Sequence, residues 1–211
     1  MPIQMQGVVG PPSTASVSGY QTIRLGAGGD QIQSGLRGRY YEATRRGQVF
    51  SACTVAATTW TVGLATTYTG LLLYNPSSTV NLELLSMGIA LSTVQGVSTV
   101  FGLALGTVTP ALYAGWTITN LATNSCLVGS FLKSQGIALT AAATFSAAST
   151  PLYAETLGAF NYSSNAGAAV QIQNVDLAGR YVLPANSFAI TTIGQNAEVG
   201  FASLIWAEVP V

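Results

Sequence analysis

A chain of 211 residues can hold one large core, or one core and an arm, and folding can bury roughly 70% of the surface that the unfolded chain exposes. Charged residues make up 7% of it, split into seven basic and seven acidic side chains with no histidine, where an ordinary soluble protein carries about 25%. This balance argues against a basic nucleic-acid-binding domain and removes histidine from any acid/base or metal chemistry. On a chain that is 49% hydrophobic, so neutral a surface calls for cover by other subunits.

Residues 1 to 22 contain Pro2, Gly7, Gly10, Pro11 and Pro12 with little periodicity, so the segment reads as an extended arm. Residues 22 to 33 suggest a small hairpin around Gly26-Ala27-Gly28-Gly29-Asp30, and residues 38 to 50 a second short ribbon. Five of the seven basic residues, Arg24, Arg37, Arg39, Arg45 and Arg46, lie here against Asp30 and Glu42, which leaves the region net positive. With Tyr40 and Tyr41 among them, these arginines suit single-stranded nucleic acid by charge and stacking. An acidic protein surface suits them better, because the chain as a whole is neutral and arginine pairs with carboxylates in two-pronged fashion. Arg24, Arg37, Arg39, Tyr40, Tyr41, Arg45 and Arg46 are therefore the candidate partner-binding residues of the arm.

Beyond Ser51 the texture is uniform. Strands are expected at about 54–64, 70–75, 80–92, 99–106, 114–122, 126–133, 151–160, 169–175, 187–193 and 199–208. Turn chemistry at Asn75-Pro76-Ser77-Ser78, Thr109-Pro110, Asn124-Ser125 and Leu183-Pro184-Ala185-Asn186 separates them. The last two strands, either side of Gly194-Gln195-Asn196, read as a closing β-hairpin. Residues 141 to 148 read as a loop or a single helical turn. Regular strands with no intervening helical periods predict an all-β fold: an antiparallel two-sheet jelly-roll sandwich over 51–211, with an extended N-terminal arm over 1–50.

The residues between Glu83 and Lys133 carry no charge, yet Ser86, Gly88, Ser92, Gln95 and Gly96 interrupt them too often for a membrane helix. An outer-membrane barrel calls for a leader that MPIQMQGVVGPPS does not resemble. Cys53 and Cys126 stand in no metal-ligand spacing and read as two buried free thiols. The glycines at 26–29 precede no helical pattern, so they form a turn and not a phosphate cradle. Glu83, Glu155, Asp176, Glu198 and Glu208 are scattered singly, and Lys133-Ser134 reads as a solvated loop edge. Asn161-Tyr162-Ser163 matches a glycosylation sequon, too common a pattern to carry weight. Trp60, Trp116 and Trp206 read as core or subunit-interface aromatics, with an exposed sugar-stacking platform as the sharper alternative. No catalytic residue, cofactor site or metal site is assigned, and the chain reads as a non-enzymatic protein.

The layout, a Pro/Gly arm, a basic segment Gly38-Arg39-Tyr40-Tyr41-Glu42-Ala43 with Arg45-Arg46-Gly47, and a charge-poor sandwich ending Ser203-Leu204-Ile205-Trp206, resembles small virion proteins of tailed bacteriophages. It is most similar to capsid cement, or decoration, proteins. That resemblance spans the chain as architecture and texture. It implies a homotrimer bound to the major capsid protein on the capsid exterior, with the arm bracing neighbouring subunits; the interrupted apolar run and the neutral charge balance speak against a membrane or nucleic acid as partner. A tail-fibre or tail-tip module, and a carbohydrate-binding adhesin, remain the other readings.

Overall fold

A computed structural model of the chain describes residues 39–60, 67–93, 99–116, 119–140, 143–144, 151–160, 172–193 and 199–211. The arm over residues 1 to 38, its hairpin, the sequon and the 194–196 turn lie outside these. By its contacts the chain divides into a unit through Tyr41 and a unit from Glu42 onward. The second unit is a two-sheet β-sandwich.

One sheet contains β1 (Val49–Cys53), β5 (Val80–Thr93), β11 (Ile172–Leu183) and β13 (Val199–Pro210) in the order β11-β5-β13-β1. The short β7 (Asn124–Ser125) continues it beyond β1, and β2 (Thr58–Thr59) pairs with β13. The other sheet runs β10-β6-β12-β4-β8, from β4 (Leu72–Asn75), β6 (Thr99–Thr107), β8 (Ile137–Leu139), β10 (Leu152–Phe160) and β12 (Ser187–Ile193). A small pair joins β3 (Thr67–Tyr68) to β9 (Ala143–Thr144).

Eight of these strands form the frame. In chain order the first pairs with the last (β1 with β13), β4 with β12, β5 with β11 and β6 with β10, all antiparallel. The frame is thus one long hairpin with its tip between β6 and β10. It is folded over so that β5 also meets β13 and β6 also meets β12. This nesting is the strand order of a jelly roll.

Alternation along the strands decides which side chains enter the core. Phe50, Leu84, Met87, Ile89, Leu204 and Trp206 face inward from the first sheet, opposite Leu73, Phe101, Leu103 and Ala189 of the second. Phe50 and Trp206 are register partners, and their rings lie 6.5 Å apart at 28°. The outer face of the second sheet is buried as well, which is why Leu71-Leu72-Leu73-Tyr74 shows no polar alternation. Tyr74, Phe188 and Ile190 point to that side and meet Tyr68 and Trp116. Helix α2 (Pro110–Ala114) closes over them: Thr109 Oγ1 accepts the Leu112 N–H at 3.3 Å, Pro110 occupies the first turn, and Tyr113 stacks on Tyr74 at 4.2 Å. Gly106 lets the Phe188 ring lie flat on β6, since a Cβ there would sit 2.5 Å from Cζ.

Tyr68 is fully buried beneath this layer, and its hydroxyl meets the Thr191 carbonyl at 2.6 Å and the Leu71 carbonyl at 2.9 Å. Burial pushes its phenol far above the ordinary 10.0, with Thr191 only partly opposing. Burial also raises Tyr74 and Tyr113, and the hydrogen bond to Glu155, followed by burial, raises Tyr181. A phenol held neutral in the fold stabilises it below the unfolded value of 10.0, and that contribution disappears as pH climbs through the higher folded value. Stability is therefore expected to be insensitive to these groups at neutral pH and to fall above about pH 10. Absorbance titration should show the buried Tyr68 tyrosinate forming together with unfolding; a smooth titration of all nine tyrosines in folded protein would contradict this.

Several expectations are corrected. Strands β12 and β13 do not form a closing hairpin; they lie in different sheets and face each other across the core. The 38–50 ribbon is instead a five-residue helix, α1 (Tyr41–Arg45), followed by β1. The sandwich begins at Val49, so a boundary after residue 50 would cut through β1 and remove Phe50 from the core. Of the expected strand over 114–122, Ala114 ends α2 and, among the described residues beyond it, Asn120 makes one isolated antiparallel bridge to Leu139. The one expected over 126–133 is a loop. Both cysteines are free, but Cys53 is exposed and Cys126 half-buried.

Candidate functional site

The basic segment predicted to bind a partner is described from Arg39 onward; Arg24 and Arg37 lie outside the described residues. In the first unit the Arg39 guanidinium sits 5.2 Å from the centre of the Tyr40 ring, and Tyr41 is exposed. In the second unit Arg45 Nε reaches Glu42 Oε2 at 3.2 Å, both side chains being more than half exposed. Such a pair contributes little to stability and is easily exchanged for another carboxylate. Arg46 is exposed beside it.

The described carboxylates of the sandwich strands have structural occupations, while Glu198 lies outside the described residues. Glu155 on β10 accepts from Arg180 Nη1 at 3.1 Å and from the Tyr181 hydroxyl at 2.8 Å, tying the edges of the two sheets together. Those donors flank a bulge in β11, where Asp176 pairs with Ser86 and Tyr181 already with Leu84. Leu177 drops from this bulge into the core, Ala178 and Gly179 take positive φ, and Asp176 Oδ1 caps the Ala178 N–H at 2.8 Å. The Glu83 side chain fills the space a Cβ on Gly179 would need. Glu208 near the end of β13 is only 8% exposed, and its Oε1 accepts the Ser134 hydroxyl at 2.6 Å, the Gln135 N–H at 2.6 Å and the Gly136 N–H at 3.3 Å. Ser134 is thereby committed to Glu208, and Lys133 beside it is exposed. Among the described residues no group of three histidine, cysteine or carboxylate side chains is placed to hold a metal ion.

The tryptophans are core residues: Trp60 and Trp206 are fully buried and Trp116 nearly so, which leaves no exposed indole face for sugar stacking. The exposed large apolar side chains lie elsewhere. The loop of residues 126–134 presents Val128 at 96% and Phe131 at 97% exposure, with Leu132 at 50% and Leu127 at 37%. The loop is built, not loose. The Cys126 N–H bonds to the Val49 carbonyl at 2.9 Å, and Ser125 Oγ and Ser130 Oγ cap the N–H groups of Leu127 and Leu132. Gly129, at φ +85°, makes the turn at the tip, and Leu132 rests where a Cβ on Gly47 would otherwise stand. The Glu208 bonds hold its far end. In the sequence this run, Cys126-Leu127-Val128-Gly129-Ser130-Phe131-Leu132, reads as a strand because its residues are apolar; the Gly129-Ser130 pair was the one sign of a turn.

Comparison of the chain with known protein families, with curated proteins and with solved structures found no match.

Proposed function

We propose that this chain is a non-enzymatic virion subunit of a tailed bacteriophage, most like a capsid cement protein: a homotrimeric sandwich on the capsid exterior, attached partly through its basic N-terminal segment. The observation that carries the reading is the segregation of charge. Before Gly47 stand five arginines and two carboxylates, a net +3; from Gly47 onward stand Lys133 and Arg180 against five carboxylates, a net −3. A neutral protein with its positive charge gathered in a segment ahead of a sandwich is suited to reach a neighbour's acidic surface. The exposure of Arg45 and Arg46 favours contacts made at a solvated rim.

Replacing Arg24, Arg37, Arg39, Arg45 and Arg46 with glutamine in the full chain is the test, read as copies per particle by quantitative mass spectrometry. Occupancy should fall at least about tenfold, and attachment of the wild type should weaken steeply with salt, since rim charges are screened over a Debye length of about 8 Å at physiological ionic strength. Undiminished occupancy would place attachment in the sandwich. Two or three copies per particle in place of hundreds would point to the tail.

A further inference from the structure

We infer that the apolar loop of residues 126–134 is a self-association surface, where the sandwich packs end to end against a second copy of this chain. The loop lies at one end of the sandwich, beside the start of β1 and the end of β13, and Glu208 and Gly47 hold it there. Val209, 42% exposed on the last turn of the strand pairing, adds to the same end. Together Leu127, Val128, Phe131, Leu132 and Val209 expose roughly 400–500 Å² of apolar surface, taking fully exposed aliphatic and aromatic side chains at their usual areas. A stable interface buries about 800 Å² per partner, of which about 65% is apolar in homodimers. This end therefore supplies nearly the whole apolar share of one such interface.

The response to salt separates a second copy from other occupants. The apolar area is rimmed by Lys133 and, next to Gly47, Arg46. A lipid surface or an acidic protein would be drawn to those two cations, and salt would weaken its hold. Two copies meeting here bring cations together around an apolar centre, so salt should strengthen their contact. A rotation axis through this end sets each Phe131 near its counterpart and closes the assembly without leaving a loop uncovered. The anchored loop loses little conformational freedom on packing, as a permanent contact requires.

The inference supplies the contact for the homotrimer proposed above, and sedimentation equilibrium on the purified full chain tests it separately from capsid attachment. The wild type should be an oligomer at micromolar concentration and bind more tightly as salt rises. Val128→Asp with Phe131→Asp should be monomeric and folded, with a dissociation constant raised at least about a hundredfold. Val128→Gln with Phe131→Gln should weaken association without adding charge, and Leu152→Asp, at a 73% exposed position on the edge strand β10, should leave it intact. A monomeric wild type would overturn the inference together with the oligomer. An oligomeric wild type whose loop variants stay oligomeric would overturn the inference alone. Retention of the wild type, but not of the Phe131 variant, on phosphatidylserine vesicles would overturn it in favour of a lipid surface.

Discussion

Trp206→Ala is expected to destabilise the sandwich by about 3–5 kcal/mol, enough to remove much of the stability of a typical domain. The indole is fully buried on β13, stacks on Phe50 across the β1–β13 pairing, and belongs to the inter-sheet core. Alanine would leave a cavity walled by two sheets whose hydrogen bonds prevent them from collapsing together. Trp206→Phe separates packing from hydrogen bonding. The indole N–H has no hydrogen-bond partner, so phenylalanine loses volume but no bond and relieves an unsatisfied donor. Its cost should be less than half that of alanine, read from urea midpoints at unchanged slope. Equal costs for the two variants would show that filling this space is not what the ring contributes.

The second large effect is expected at Asn75, a fully buried amide at the end of β4. Its Nδ2 donates to the Val80 and Leu183 carbonyls, each at 2.9 Å, and its Oδ1 accepts the Ser77 N–H at 3.0 Å. One side chain thus ties the end of β4 to the start of β5 and the end of β11, joining the two sheets at a corner. Asn75→Ala strands two carbonyls and one N–H, and should cost about 3 kcal/mol. Asn75→Asp keeps the shape but turns the donor into a carboxylate facing two carbonyls. It should be at least as damaging at neutral pH and recover as acid protonates it, since the proton restores a donor. An aspartate variant with no gain in stability between pH 7 and pH 5 would count against this account.

Much of the frame was legible in the sequence. Strands β5, β6, β10, β12 and β13 fall within a few residues of their expected spans, because long half-buried strands leave alternation behind. Pairing was not legible. Alternation in 187–193 and 199–208 records that each strand has a core face, and two strands facing each other across a core record the same thing as two strands side by side. Helix α2 had a readable signal in Thr109-Pro110, a capping residue followed by proline, which also reads as a turn. The three residues of β8 are too few to show a period, and nothing in Leu177-Ala178-Gly179-Arg180 announces a bulge that puts an alanine at positive φ. The arginines at 39, 45 and 46 were visible as a cluster, whereas the apolar loop was hidden by its own hydrophobicity. A residue type that belongs in a core gives no sign that it stands outside one.

The pairing of the first frame strand with the last has a mechanical consequence. β1 is held to β13 through five register pairs, from Val49↔Ala207 to Cys53↔Ser203, and the chain reaches β1 through Gln48, whose carbonyl accepts the Glu208 N–H. Tension applied at Gln48 along the strand, while the body is held elsewhere, loads all five pairs at once in shear. Tension between Gln48 and the C-terminal end of β13, which lies beside it, would instead peel them apart one after another, as a zipper opens. A segment that braces a neighbour pulls in the first way whenever the body is held at any point other than the end of β13. The same five pairs then act as a strong joint, with the stacked rings of Phe50 and Trp206 as its pin.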